Sequence, residues 1–524
     1  MVGAGHNALV AACYLARAGW TVTVLERDVV AGGAVSTVER FPGHQVDRGS
    51  SAHLMIRHYG IIEELDLAAH GLRYADCDPW AFAPAPPGSD CPGIVFHRDL
   101  DATCASIEAA CGARDADAYR TFAGVWGERS ARVLRSFAHP PTPRHLLRAF
   151  WGGDPAEVSR QFLTSGDALL DSTFDDERLR AALACFGAQS GPPTSASATA
   201  PMVGFAAAMH TIPPGRAIGG SGALSQALVS KLESLGGAVR LGDAVTALHR
   251  SSAGWVVRTA GGTELRSRVV VAGCHVLTTL DLLTGRHPEP ERVQRWRRGI
   301  RVGRGVGMVV RLATTGLPHY PSAPDGVAVG NGLQLLVSDR RQLHAAHAAA
   351  LAGALPPTPA VLAMSLSALD PGSVPAGEQQ LTLWAQWYPY TLAGGRSWDG
   401  RGAHSVAAAE GERIVAALVA VAPGFTDTVL HRLVQTPLDL ETELGLVGGD
   451  VMHVEMALES QLLWRPTPEL ARYRVPGADG LYLTGASTHP GGGVSGASGR
   501  SVAGLALADA RGGLLRRAAA AVRR

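Results

Sequence analysis

The chain has 524 residues, 46% hydrophobic and 18% charged, long enough for two or three domains with an ample core. Against 46 Asp+Glu stand 47 Lys+Arg, and the net charge of +1 removes the basic footprint of a nucleic-acid binder. Lys231 is the only lysine, which leaves Schiff-base chemistry and a phosphate-loop lysine almost without a candidate, and seven scattered cysteines with no C-x-x-C make neither a disulfide framework nor a zinc site.

In chain order the first signature is Gly3-Ala4-Gly5-His6-Asn7-Ala8, a G-x-G-x-x-A pattern. Alone it is weak, because any glycine-rich turn before a helix can match it. Its surroundings decide. Residues 8–18 predict a helix, with Leu9, Ala12, Leu15 and Ala16 at helical spacing and Gly19 closing it. Residues 21–25 predict a buried parallel strand from their β-branched content, and Glu26 stands at its end. Gly3 makes the tight turn, Gly5 lets a pyrophosphate approach the backbone, and Ala8 lets the helix pack on the sheet. The helix N-terminus then offers free N–H groups to the anion, and the Glu26 carboxylate accepts from an adenosine ribose while repelling a 2′-phosphate. This fold needs a strand before Gly3, and only Met1-Val2 is there; the expectation is a stub strand or a start further upstream. No signal peptide is expected before the motif, and no stretch is apolar enough to span a bilayer.

A second glycine pair follows at Gly32-Gly33-Ala34, then Asp47-Arg48-Gly49-Ser50-Ser51. A second close approach of the chain suits an FAD lying along the sheet better than NAD, although Gly-Gly is also a common loop element. Residues 105–210 predict helices with proline-rich joints. Gly219-Gly220-Ser221-Gly222 opens a helix to about residue 235, and strands follow at 238–241, 244–248, 255–259 and 269–272. No second G-x-G-x-x-G follows a strong strand, so a separate NAD(P)H domain is not expected. Residues 295–470 mix strands and helices. Within them, 381–390 starts as an alternating strand and ends in aromatics, which either wall a pocket or, more simply, pack the core. Near the end, residues 481–484 predict a short buried strand. The loop from Gly485 to Gly496 then carries Thr-His-Pro and a run of glycines, and a helix at 502–515 closes the chain. A helix N-terminus there suits the N1/O2 edge of a reduced flavin, and Gly492 and Gly493 allow close approach to the ring.

These segments resemble the phytoene desaturase (carotenoid desaturase and isomerase) group of flavoproteins, and within it the branch of pyridine nucleotide-disulphide oxidoreductase domain proteins. Residues 2–49, 219–283 and 480–509 carry the resemblance. It implies FAD as cofactor, with contacts on Gly3, Gly5, Ala8, Glu26, Arg27, Gly33, Ala34, Val245 (holding the adenine by its backbone), Gly485, Ala486 and Val494; the loop reading adds Gly493. The arginines that many related flavoenzymes place around the Gly-Gly pair are Val30 and Ala34 here, and the acidic residue of the last glycine motif is absent.

The expected fold class is α/β: a Rossmann-type FAD-binding domain with a parallel sheet, assembled from residues 1–75, 215–290 and 475–524, plus a mixed α+β substrate-binding domain from 76–214, mainly helical, and 291–474. Candidate catalytic residues are His489, His453 and His53, because a neutral imidazole near the flavin takes or relays a proton. His344 and His347, at i, i+3 without a carboxylate in register, read as a solvated helix face, and no metal is expected. The expected chemistry is dehydrogenation of a hydrophobic, extended small molecule with hydride passing to flavin N5 and reoxidation by O2 or a quinone. Rivals are an amine or alcohol oxidase, an oxidative cyclase, a redox-neutral isomerase or a flavin-stabilised binding protein. The expected location is the cytoplasm, with or without peripheral membrane contact.

Overall fold

A computed structural model describes residues 1–144, 154–285, 288–303, 307–400, 402 and 404–522, with side chains described to residue 512. Helix α1, His6–Arg17, opens on Gly5 and is buried along most of its length. Gly19, at φ +84°, turns the chain back into strand β1, Thr23–Leu25. Helix α2, Gly222–Ser234, leads to β2, Ala238–Arg240; strands β3, Val270–Ala272, and β4, Leu481–Leu483, follow, and α3, Ala497–Val522, ends the chain. β1 pairs parallel with β2, and β3 parallel with β4.

What joins the two pairs is Met1-Val2. Val2 bridges β1 and β3 in parallel: its N–H donates to Val271 O at 2.9 Å, Gly3 N donates to Leu25 O at 2.8 Å, and Gly273 N donates to Val2 O at 2.8 Å. Val2 therefore stands between the two pairs, with partners on both sides. The helices cover this sheet as a doubly wound fold requires. α1 crosses α3 so closely that a Cβ on Gly499 would lie 2.1 Å from Asn7 O.

A second sheet of seven strands runs, in spatial order, Val429–Gln435, Gly307–Thr314, Gln379–Gln386, Ala360–Met364, Leu333–Leu335, Ala81–Ala83 and Ile94–Phe96. Its pairings are antiparallel except that of Leu333–Leu335 with Ala81–Ala83. Helices from residues 100–204 pack on one of its faces, and four of them open on side-chain caps: Asp99, Asp154, Ser165 and Asp176. The part of the predicted helical region at 145–153 lies outside the described residues. No helix among the described residues is long and apolar enough to cross a membrane.

A buried ion cluster ties these parts together. Arg216, in strand Gly215–Ala217, is 1% exposed and ion-pairs with Asp47 and with Asp370, the latter at 3.2 Å. Burial by itself would lower its pKa, but the two carboxylates outweigh that and hold the guanidinium above its usual value. The same carboxylates accept from the backbone at the head of α2: Asp370 from Gly219 and Gly220 at 3.1 Å, Asp47 from Ser221 at 2.8 Å.

Two expectations from the sequence are refined. The 381–390 aromatics are packing groups at the strand end: Trp387 and Tyr388 are buried, with Trp387 Nε1 donating to Gly191 O at 2.9 Å and Tyr388 OH to Glu410 at 2.9 Å. His344 and His347 are not simply a solvated face, because His344 pairs with Asp167 of another helix at 2.8 Å and His347 stands edge-on to Trp387. The sequence window around His344 held no hint of Asp167, which lies 177 residues away.

Candidate functional site

Three turns meet at the C-terminal edge of the parallel sheet: those after Val2, after β3 and after β4. Gly3 has φ +85°, and a Cβ on it would stand 3.4 Å from Cys274 N. Gly485 has φ +101°, and its Cβ would stand 3.3 Å from Gly273 O. Between them a Cβ on Gly273 would lie 2.5 Å from the Ala8 methyl, so residue 273 has no room for a side chain. Gly273 was not singled out in the sequence. Its signal was a glycine placed directly after a buried strand.

In front of these turns the backbone is open. A Cβ on Gly5 would find only Gly273 O, at 4.0 Å, and one on Gly33 only Gly5 Cα, at 3.8 Å. α1 carries no side-chain cap, so the first turn of the helix faces this cradle with its N–H groups. Glu26 lies beside it, 7% exposed; its carboxylate accepts from Ala4 N at 2.6 Å and from Asp28 N at 2.9 Å. Asp243 N donates to Glu26 O at 2.8 Å, which brings the strand Val245–Ser251 alongside, with Val245 at its near end. Ala34 O accepts from Ser50 N at 2.8 Å, so the second glycine pair and the 47–51 segment form one wall. Arg27 is exposed and reaches Glu443 O at 3.2 Å. An open cradle at a helix N-terminus with a buried carboxylate beside it fits a dinucleotide whose ribose lies on Glu26. Glu26→Ala is expected to weaken FAD by about 10- to 100-fold, roughly 1–3 kcal/mol. Flavin-fluorescence titration of the apoprotein checks this, and an unchanged affinity would put the ribose elsewhere.

The terminal loop forms the other wall. Its three consecutive glycines each face a methionine: a Cβ would lie 3.1 Å from Met456 Sδ at Gly491, 2.5 Å from Met452 Sδ at Gly492 and 2.1 Å from Met55 Cε at Gly493. Val494 holds φ +54°, and its carbonyl accepts from Ile56 N at 3.1 Å. Arg465 pins this loop to the 452–460 segment. It is fully buried and, among the described residues, donates only to backbone carbonyls, including Ala486 at 2.6 Å, Met452 at 2.6 Å and Val454 at 3.1 Å. Burial pushes its pKa down to about 10, still charged at neutral pH. Nothing in the sequence around Arg465 announced this.

The three candidate histidines fall in different settings. His489 is 2% exposed, stands edge-on to Phe137 at 5.4 Å, and its carbonyl accepts from Tyr473 OH at 3.1 Å. His453 lies against the same loop, with Nδ1 3.2 Å from Ser487 Oγ. His53 is fully buried with both ring nitrogens engaged, Nδ1 with Tyr74 OH at 2.7 Å and Nε2 with Ser221 Oγ at 2.9 Å. Burial drives its pKa down to about 3, so it stays neutral. His6, inside the first motif, is also neutral, pushed down to about 4 by burial.

Known proteins match this arrangement. Residues 9–297 match the family of flavin-containing amine oxidoreductases. Pyridine nucleotide-disulfide oxidoreductase domain-containing protein 2 of Rattus norvegicus is 30% identical over 97% of this chain and 93% of its own length. A phytoene dehydrogenase of Streptomyces griseus is 32% identical over 48% of this chain and 49% of its own. Among solved structures, an oxidoreductase from Methanosarcina mazei superposes with a TM-score of 0.61 at 15% identity, covering 96% of this chain and 98% of that one.

Proposed function

The chain belongs to the flavin-containing amine oxidoreductase family, and from that premise we propose that this FAD-dependent oxidoreductase dehydrogenates a hydrophobic, extended small molecule. The observation that carries the reading is the methionine trio. Met55, Met452 and Met456 come from two distant segments, are partly exposed, and lie against three consecutive glycines. Thioethers are apolar, polarisable and adaptable, and they suit an unsaturated hydrocarbon chain. An ammonium substrate asks for a carboxylate; the charged group nearest these glycines is the cation Arg465, 3.4 Å from a Cβ on Gly491.

When bound, the flavin supplies the hydride acceptor, and O2 or a quinone reoxidises it. In this reading Gly3, Gly5, Ala8, Gly33 and Ala34 hold the pyrophosphate side, Glu26 and Arg27 the ribose side, and Val245 the adenine. Gly485, Ala486, Gly493 and Val494 line the ring. The flavin-binding part comprises residues 1–75, 215–290 and 475–524, and the substrate part 76–214 and 291–474. In support, every strand of the parallel sheet lies in the first set and every strand of the seven-stranded sheet in the second. We assign the proton relay to His489 and a bracing role to His53, whose ring nitrogens are both occupied.

Anaerobic stopped-flow reduction tests the proposal. Bleaching of the flavin by an acyclic isoprenoid hydrocarbon, and not by a primary amine such as putrescine, is the expected result. Bleaching by the amine alone would overturn it. With the active hydrocarbon, His489→Ala should retain its flavin and be reduced more slowly, on the order of 10²-fold. Normal reduction would leave His489 an ordering role only.

A further inference from the structure

The surroundings of His453 fix more than its position. Its ring stacks on His275 with centroids 5.2 Å apart and planes 24° from parallel. His275 has a defined tautomer: its Nδ1 accepts from Leu277 N at 3.1 Å, so Nε2 carries the proton and donates to His453 O at 2.7 Å. Backbone and ring of His453 are therefore both held by one neighbour. His453 itself sits at φ +65°, a region that histidine tolerates better than branched residues do.

The tautomer of His453 follows from Ser487. Ser487 is 1% exposed, and its Oγ accepts from Val276 N at 3.1 Å. The other hydrogen-bonding contact of Oγ among the described residues is His453 Nδ1, at 3.2 Å. A buried hydroxyl places its proton on an acceptor, and here that acceptor is Nδ1. A neutral imidazole whose Nδ1 accepts carries its own proton on Nε2. Nε2 has no hydrogen-bond partner among the described residues, and the residue as a whole keeps some exposure.

We propose that Ser487 is a positioning residue that locks His453 as the Nε2–H tautomer, so that His453 offers a hydrogen-bond donor, not a base, to an anion or carbonyl oxygen in the cleft. Burial and the nearby His275, Arg465 and His6 hold the imidazole well below the usual histidine range, which keeps this tautomer neutral. The role as donor into the cleft rests on the reading that the terminal loop borders the flavin; the tautomer itself does not.

Two measurements separate these. The first uses protein labelled with 15N-histidine, its His453 signal assigned by loss in His453→Gln. Nδ1 should resonate as an unprotonated nitrogen with or without flavin, and Ser487→Ala should move it toward a tautomer mixture. A protonated Nδ1 overturns the proposal. The second is sulfite titration of the holoenzyme, since sulfite adds to a flavin ring and leaves negative charge there for a nearby donor to stabilise. Ser487→Ala and His453→Ala should each weaken sulfite about tenfold, the worth of one hydrogen bond. Ser487→Thr, which keeps the hydroxyl, and His453→Gln, which keeps an N–H, should restore it. If His453→Gln is as weak as His453→Ala, or Ser487→Ala binds as wild type, the donor role fails.

Discussion

Gly493→Val should purify without its flavin. Gly493 sits at φ +100°, where a β-branched residue is strained, so the backbone must leave this conformation or carry roughly 1–3 kcal/mol of strain. The added Cβ would also lie 2.1 Å from Met55 Cε. Met55 is flexible and its terminal methyl can swing away; the backbone has no such escape, and Val494 beside it is already at φ +54°. The loop therefore shifts, and with it the wall on which the proposed reading places the ring. A loss of at least about 100-fold in FAD affinity is expected, corresponding to about 3 kcal/mol. The ratio of flavin to protein absorbance after gel filtration, followed by titration of the apoprotein, reads it. Gly493→Ala keeps the strain but adds less bulk, and should fall between. A valine variant with full flavin content would show that the terminal loop does not set the approach to the ring.

Arg216→Met should be strongly destabilising. The methionine fills much of the volume but leaves Asp47 and Asp370 facing each other in a buried site without their cation. Breaking a buried pair from one side costs about 3–5 kcal/mol, because a charge is left uncompensated. The backbone donors at Gly219, Gly220 and Ser221 soften the loss without cancelling it. Limited proteolysis and thermal unfolding of the holoenzyme at neutral pH measure the effect. The double variant Arg216→Met with Asp370→Asn should be more stable than Arg216→Met alone, since it removes one of the stranded charges. If the single variant unfolds like wild type, the cluster contributes nothing beyond what its backbone hydrogen bonds provide.

Both ends of the chain were legible in the sequence. The first 26 residues announce themselves: turn, helix, strand and acid lie within one short window, and each is encoded by local rules of spacing, glycine conformation and β-branching. α1, β1 and Glu26 accordingly stand where the sequence puts them. The terminal loop was legible for the same reason, since glycines at positive φ and a following helix are local features. Local rules did not reveal that Val2 joins β1 to β3, because strand pairing depends on what lies on either side.

The polar interior belongs to the tertiary structure alone. Arg216 meets Asp47 across 169 residues of chain, and His53 meets Ser221 across 168. Arg465 finds its carbonyl partners only once the 452–460 segment is folded against the terminal loop. Gly273 gains its meaning from Gly3 and Gly485, which arrive from opposite ends of the chain. Periodicity and turn chemistry are written in neighbours along the sequence, so the sequence alone determined the dinucleotide-binding frame and the residue types at its two ends. A buried polar group is satisfied by whatever distant segment folding brings to it, so only the tertiary structure decided which histidines are braced, by which partners, and which cations hold the segments together.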